Sequence, residues 1–137
     1  MKEKIFLDTN IIIDILGNRQ PYSVPAANLL NLSSDGQASF YATALTYANA
    51  LYVLRKDLGT ENATRYLRAL NAIVEIAPTT QEEVRKAFLS LNPDFEDAIQ
   101  YFSAVTVGAD VIITRNQKHF KYSDIPVMDA EQYLLSR

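Results

Sequence analysis

Apolar residues fall in short blocks along the chain, and the spacing within each block separates strands from helices. Residues 4–7 end in Ile5, Phe6 and Leu7, and residues 11–16 resume with too many apolar side chains for a solvent-facing loop. A short buried strand therefore passes straight into a helix through Asp8, Thr9 and Asn10, and Gly17 stops that helix. After turn-forming Pro21 and Pro25, residues 26–32 have helical spacing, closed by Ser33, Ser34, Asp35 and Gly36. Residues 39–42 predict a second strand. From Thr43 to about Leu58, Leu45, Ala48, Leu51 and Tyr52 recur every three or four positions, with Leu54 or Arg55 beyond, which predicts a third helix ended by Gly59. A fourth helix is expected over residues 61–70, and Ile73, Val74 and Ile76 before Pro78 predict a third strand.

The remaining blocks repeat the alternation. Thr79 or Thr80, followed by Glu82 and Glu83, reads as an N-cap with an acidic first turn, opening a helix that ends near Leu91 and Asn92. Pro93, Asp94 and Phe95 lead into a helix running to about Gly108, with Ala98, Phe102 and Val105 on its expected buried stripe. Val111 to Ile113 is a fully apolar fourth strand, and residues 125–128 a short fifth. Strands alternating with helices predict a three-layer α/β/α fold around a central, mostly parallel sheet of four to five strands, in one domain spanning residues 1–137.

Composition narrows the function. Hydrophobic residues make up 48% and charged residues 21%, enough for a single proper core. The absence of cysteine excludes disulfides, thiolate metal sites and cysteine nucleophiles, and points to a reducing compartment, the cytoplasm by default. The apolar run after Lys2 and Lys4 breaks at Asp8, so no signal-peptide core is expected, and no run approaches the roughly 20 residues of a membrane span. A net charge of −3 argues against broad attraction to nucleic acid, although acidic metal ligands lower net charge and a local basic rim can still recruit a polyanion.

In open α/β sheets, ligands bind beyond the carboxyl ends of the strands. Asp8, Thr9 and Asn10 follow the first strand; Thr114, Arg115 and Asn116 follow the fourth; Asp94, Glu96 and Asp97 open a helix. Carboxylates brought together repel unless a cation neutralises them, so their convergence would call for Mg²⁺ or Mn²⁺, which take hard oxygen ligands. Taken singly, each group has a plainer reading. Asp8 is as well explained as a helix N-cap, the Asp94 group as a dipole-matched first turn, and Thr114 with Asn116 as turn formers.

The three motifs DTNIIIDIL (residues 8–16), PDFEDAIQYFSA (residues 93–104) and DVIITRNQKHF (residues 110–120) are similar in order and spacing to those of PIN-domain proteins, the fold of VapC-type toxin ribonucleases. The resemblance covers essentially the whole chain. It implies a metal-dependent endoribonuclease, the toxin of a toxin–antitoxin pair, acting on RNA in the cytoplasm, with an antitoxin protein as partner, no membrane association and a homodimer in reach. Asp8 matches the first family acid and Asp97 the central one; Asn49 and Asn116 stand where the family usually has two more. The expected catalytic set is thus Asp8, Asp97, Asn116 and Asn49, with Mg²⁺ or Mn²⁺ on Asp8, Asp97 and Asn116. Thr9, Asn10 and Thr114 would orient Asp8, Asp94 and Glu96 would restore charge if turned inward, and Arg115 and Lys118, with Lys121 alongside, would meet RNA phosphates.

Other residues have simpler readings. Asp14 reads as a helix-surface charge, His119 as a loop-surface residue, and Tyr41, Tyr47 and Tyr52 as core or interface residues. The competing function is a PIN-fold module that has lost catalysis with its two acids and binds RNA or a partner protein. A phosphotransfer domain with Asp8 as nucleophile fits less well, because the second acid expected two residues on is Asn10.

Overall fold

Every strand of the sheet is rich in β-branched or aromatic residues, and the three inner strands are apolar on both faces because helices cover both sides. The computed structural model describes residues 2–137. Its elements are β1 (Glu3–Leu7), α1 (Thr9–Leu16), α2 (Ser23–Leu30), β2 (Ala38–Thr43), α3 (Ala44–Leu58), α4 (Thr60–Asn71), β3 (Val74–Ala77), α5 (Gln81–Leu89), α6 (Phe95–Val107), β4 (Val111–Ile113), β5 (Val127–Met128) and α7 (Ala130–Leu135). All described pairings are parallel, in the order β3-β2-β1-β4-β5. The chain runs outward from β1 to β2 and β3, then crosses back to place β4 on the other side of β1. That reversal opens a crevice beyond Leu7 and Ile113, which are paired at the ends of β1 and β4.

Alternation along β1 sends Ile5 and Leu7 to one face and Phe6 to the other. Ile5 and Leu7 join Phe40, Val74, Val111 and Ile113 under α1, α2, α3, α4 and α7, while Phe6 and Ile112 pack beneath Ala104 of α6. Ala87 of α5 meets Ala98 and Ile99 of α6 in a third cluster. Among the described residues no helix is long and apolar enough to cross a membrane.

Several boundaries and faces differ from expectation. In α3 the buried stripe is Thr46, Ala50 and Leu54, leaving Ala48 and Tyr52 exposed. The helix is rotated because the Thr43 side chain caps it at Thr46 and the Thr46 hydroxyl bonds that of Thr9 at 2.8 Å. In α6, Asp97 to Gln100 with Ser103 and Ala104 are buried and Val105 is exposed. Ile76 is exposed because β3 is an edge strand, and Ile73 is exposed in the turn before it. The terminal helix α7 was not anticipated, although Asp129 with Gln132 three residues later forms a reciprocal capping box.

A second capping box has a measurable consequence. Thr80 and Glu83 cap α5, and buried Glu83 also accepts the Thr106 hydroxyl at 2.8 Å, tying α5 to α6. Hydrogen bonds from the Thr80 side chain, the Thr80 backbone and Thr106 pull the Glu83 carboxyl down from 4.5 to about 2. Because the folded value is depressed, the stabilisation is complete above 4.5 and is lost as pH falls toward 2. Glu83→Gln is expected to cost about 1 kcal/mol at pH 7. Urea unfolding at pH 7 and pH 3 should show the gap between wild type and variant narrowing in acid.

Candidate metal centre

Leu7 ends β1 and the backbone turns at once into α1, with extended Asp8 as N-cap. Capping and site-building are done by the same bonds. Asp8 Oδ1 accepts the Thr9 N–H at 2.7 Å, and Oδ2 accepts the Thr114 hydroxyl at 2.7 Å and the Asn10 amide at 3.3 Å. Thr114, fully buried at the end of β4, also accepts the Asn116 N–H at 3.0 Å, so one hydroxyl fixes both Asp8 and the backbone of Asn116.

Asp97 lies in the first turn of α6, where the Asp94 side chain caps its N–H at 2.9 Å. Its side chain is nearly buried, and the buried Oδ2 has no hydrogen-bond partner. His119 Nδ1 stands 3.3 Å from that oxygen, within ion-pair distance but not directed as a hydrogen bond. Burial above all, then the charges of Asp94 and Asp8, push the Asp97 carboxyl up to about 6, with His119 opposing. Glu96 is raised as well, first by burial and then by Asp94 and Asp8, against a 2.9 Å hydrogen bond from Asn49. These four carboxylates therefore share one electrostatic field, which a cation would relieve.

The side chains of Asp8, Asp97, Glu96 and Asn116 line one open cleft of about 280 Å³, with Asp94, Thr9 and Asn10 at its edge. Asn49 does not line it; it reaches the cleft only through Glu96. Gln100, one turn beyond Asp97, also lines the cleft, and its buried Oε1 is unpartnered. The sequence reading missed Gln100, although its i+3 spacing from Asp97 on one helix face was a usable signal.

Two orphaned buried oxygens beside crowded carboxylates form a hard-oxygen donor set suited to Mg²⁺ or Mn²⁺. Among the described residues, no three His, Cys, Asp or Glu side chains come close enough to hold an ion by themselves. An ion here would therefore rest on Asp8 and Asp97 with neutral side-chain oxygens to complete its shell, as Mg²⁺ sites built on one or two carboxylates do.

Two expectations need correction. Asp14 is not a surface charge: it is fully buried, and Arg115 grips it through Nε at 2.6 Å and Nη2 at 3.2 Å. Arg115, expected at an RNA phosphate, is accordingly not a free side chain: its guanidinium is held by Asp14 and stacks 4.2 Å from the Tyr22 ring centre. His119 is partly exposed as expected, but it belongs to the site through Asp97. Lys118 remains exposed beside the cleft. Tyr41 and Tyr47 are partly buried, the latter bonding the Val74 carbonyl at 2.7 Å, while Tyr52 is 59% exposed beneath Arg55.

The PIN domain family model matches residues 4–118. A curated relative, Ribonuclease VapC1 of Aquifex aeolicus, is 30% identical over 139 residues, covering 96% of this chain and 93% of its own. The fold is similar to that in VapBC-1 from nontypeable Haemophilus influenzae, with a TM-score of 0.70 and 20% identity over 93% of this chain and 98% of that one. It is similar also to DNA-bound VapBC from Salmonella typhimurium, with a TM-score of 0.69 and 18% identity over 93% of this chain and 98% of that one. VapC20 of Mycobacterium tuberculosis, described as a toxin that cleaves the sarcin-ricin loop, matches at a TM-score of 0.63 and 14% identity over 79% of this chain and 86% of its own. With its motifs at the carboxyl edge of the sheet and a family match over most of its length, this chain belongs to the PIN-domain family.

Proposed function

We propose that the chain is a divalent-metal-dependent endoribonuclease, the toxin of a toxin–antitoxin pair, working in the cytoplasm on RNA. The observation that carries this reading is the unpartnered Asp97 Oδ2 in the cleft shared with Asp8. The ribonuclease name of the Aquifex relative and the VapBC assemblies among similar structures support it. By the same comparison an antitoxin protein is the expected partner.

Asp8, Asp97 and Asn116 would hold Mg²⁺ or Mn²⁺, with Gln100 as a further oxygen donor. When bound, the ion supplies an activated water and charge stabilisation at the phosphate. Thr114 and Asn10 fix the Asp8 carboxylate, Asp94 holds the turn that carries Asp97, and Asn49 orients Glu96. Lys118 is placed to meet a substrate phosphate at the rim.

Single-stranded RNA should be cut with Mn²⁺ and left intact with EDTA. Asn49 and Asn116 stand where the resemblance leads one to expect two further acids, which favours the second reading, a non-catalytic module binding RNA or a partner. Calorimetry separates the two, since a module would show no Mn²⁺ binding at millimolar concentration. Asn116→Asp adds a charge at the cleft and is expected to tighten Mn²⁺ binding roughly tenfold. An unchanged dissociation constant would remove Asn116 from the metal shell.

A further inference from the structure

Beside the acidic cleft, and sharing Asp94, Asp97 and His119 with it, lies a second cleft of about 430 Å³ rimmed by Lys118, Lys121 and Tyr122. Tyr122 also walls a third, mainly apolar cleft of about 300 Å³, whose other sides include Leu91, Tyr101 and Phe102, with Asn92 and Asp124 as polar groups. Three hollows are thus joined in series by shared residues: acids, then lysines, then aromatic rings. The turn that presents them is anchored, because Phe120 is buried in the core and Asn92 bonds the His119 carbonyl at 3.4 Å. Tyr122 is 55% exposed, with Lys121 Nζ 5.2 Å from its ring centre. Among the described residues neither lysine is paired with a carboxylate.

This order of chemistry matches a single strand of nucleic acid, in which a cation meets the phosphate and an aromatic face takes an unstacked base. The cleft on the other side of Asn116 does not match. It is lined by Asp14, Asp129 and Glu131, and its one arginine is already held by Asp14. We propose that substrate RNA leaves the metal centre over Lys118 and Lys121 and lodges one splayed-out base against Tyr122, in the pocket closed by Tyr101 and Phe102. The inference rests on the ribonuclease reading for the direction of the strand, but its recognition chemistry is independent of cleavage.

The test uses a single-stranded RNA oligomer carrying 2-aminopurine. Binding is read by anisotropy and fluorescence in EDTA, and cleavage is read with Mn²⁺. Tyr122→Ala is expected to raise KM and the dissociation constant roughly tenfold and to abolish the stacking quench, with kcat within about twofold. Tyr122→Phe should restore all three. Lys121→Ala should lower the magnitude of the log–log salt slope by about 0.7. Tyr66→Ala removes an exposed tyrosine on α4, across the sheet, and serves as control.

If RNA is cleaved while Tyr122→Ala and Lys121→Ala match wild type in KM, quench and slope, the base pocket is wrong and the nuclease reading stands. Tyr122-dependent binding without any Mn²⁺ cleavage keeps the pocket and overturns the nuclease. Equal competition by poly-glutamate with no quench would assign the surface to an acidic protein and overturn the proposal.

Discussion

Asp97→Asn lowers kcat/KM for Mn²⁺-dependent RNA cleavage by roughly a thousandfold or more while leaving the protein folded and slightly more stable, by about 1 kcal/mol. The loss follows from removing one of the two carboxylates proposed to hold the ion, since Glu96 and Asp94 line the same cleft but are engaged with Asn49 and with the Asp97 N–H. The gain follows from the sign of the perturbation. The folded Asp97 carboxyl titrates at about 6 rather than 3.8, so its charged form is penalised at neutral pH and folding stability falls as pH rises through that interval. Replacing the carboxylate by an amide removes the penalty, discounted here for solvent at the open cleft. Asp8→Asn should lose activity comparably but gain no stability, because three donors already satisfy Asp8. Steady-state cleavage and thermal unfolding on the same preparations read both quantities. Retained cleavage in either variant ends the metal-centre assignment.

Arg115→Ala is expected to destabilise the fold by about 3 kcal/mol, because it strands a carboxylate in the interior. Asp14 has no exposed surface, and both of its oxygens are met by the arginine. The double variant Asp14→Asn with Arg115→Ala should recover much of the loss, a coupling that a thermodynamic cycle measures directly. The experiment also decides between two roles for Arg115. A phosphate ligand would show a raised KM with unchanged unfolding, whereas a structural clamp shows the reverse. Since Arg115 adjoins Asn116, its loss should also loosen the cleft and reduce kcat secondarily.

Strand and helix periods, strand-end acids and the N-cap at Asp8 were readable because each depends on residues close in sequence. The pairing of Asp97 with Asp8 came from the family resemblance of the motifs, not from periodicity or strand order. What escaped the sequence depends on partners far along the chain. Asp14 looked like a surface charge because nothing local reveals that Arg115, 101 residues later, reaches back to it. His119 looked peripheral because its neighbour Asp97 is on another element. The α3 face was misread because Thr46, a polar residue, is the one turned inward by its bond to Thr9. Short α7 escaped because its six residues offer too little periodicity, although its capping box was visible.

The pairing of β1 with β4 also sets a birth order for the activity. Asp8 is made well ahead of its surroundings: β4 beside it comes about as late as Thr114, which holds its carboxylate from 106 residues further along the chain. At about 5–20 residues per second, roughly 5–20 s of synthesis separate them. During that interval the growing polypeptide carries Asp8 at the end of a strand with one flank still open, and has no cleft around it. A ribosome-bound chain is therefore harmless to RNA until β4 and Thr114 emerge, and any neutralising partner has the whole of that delay in which to be waiting.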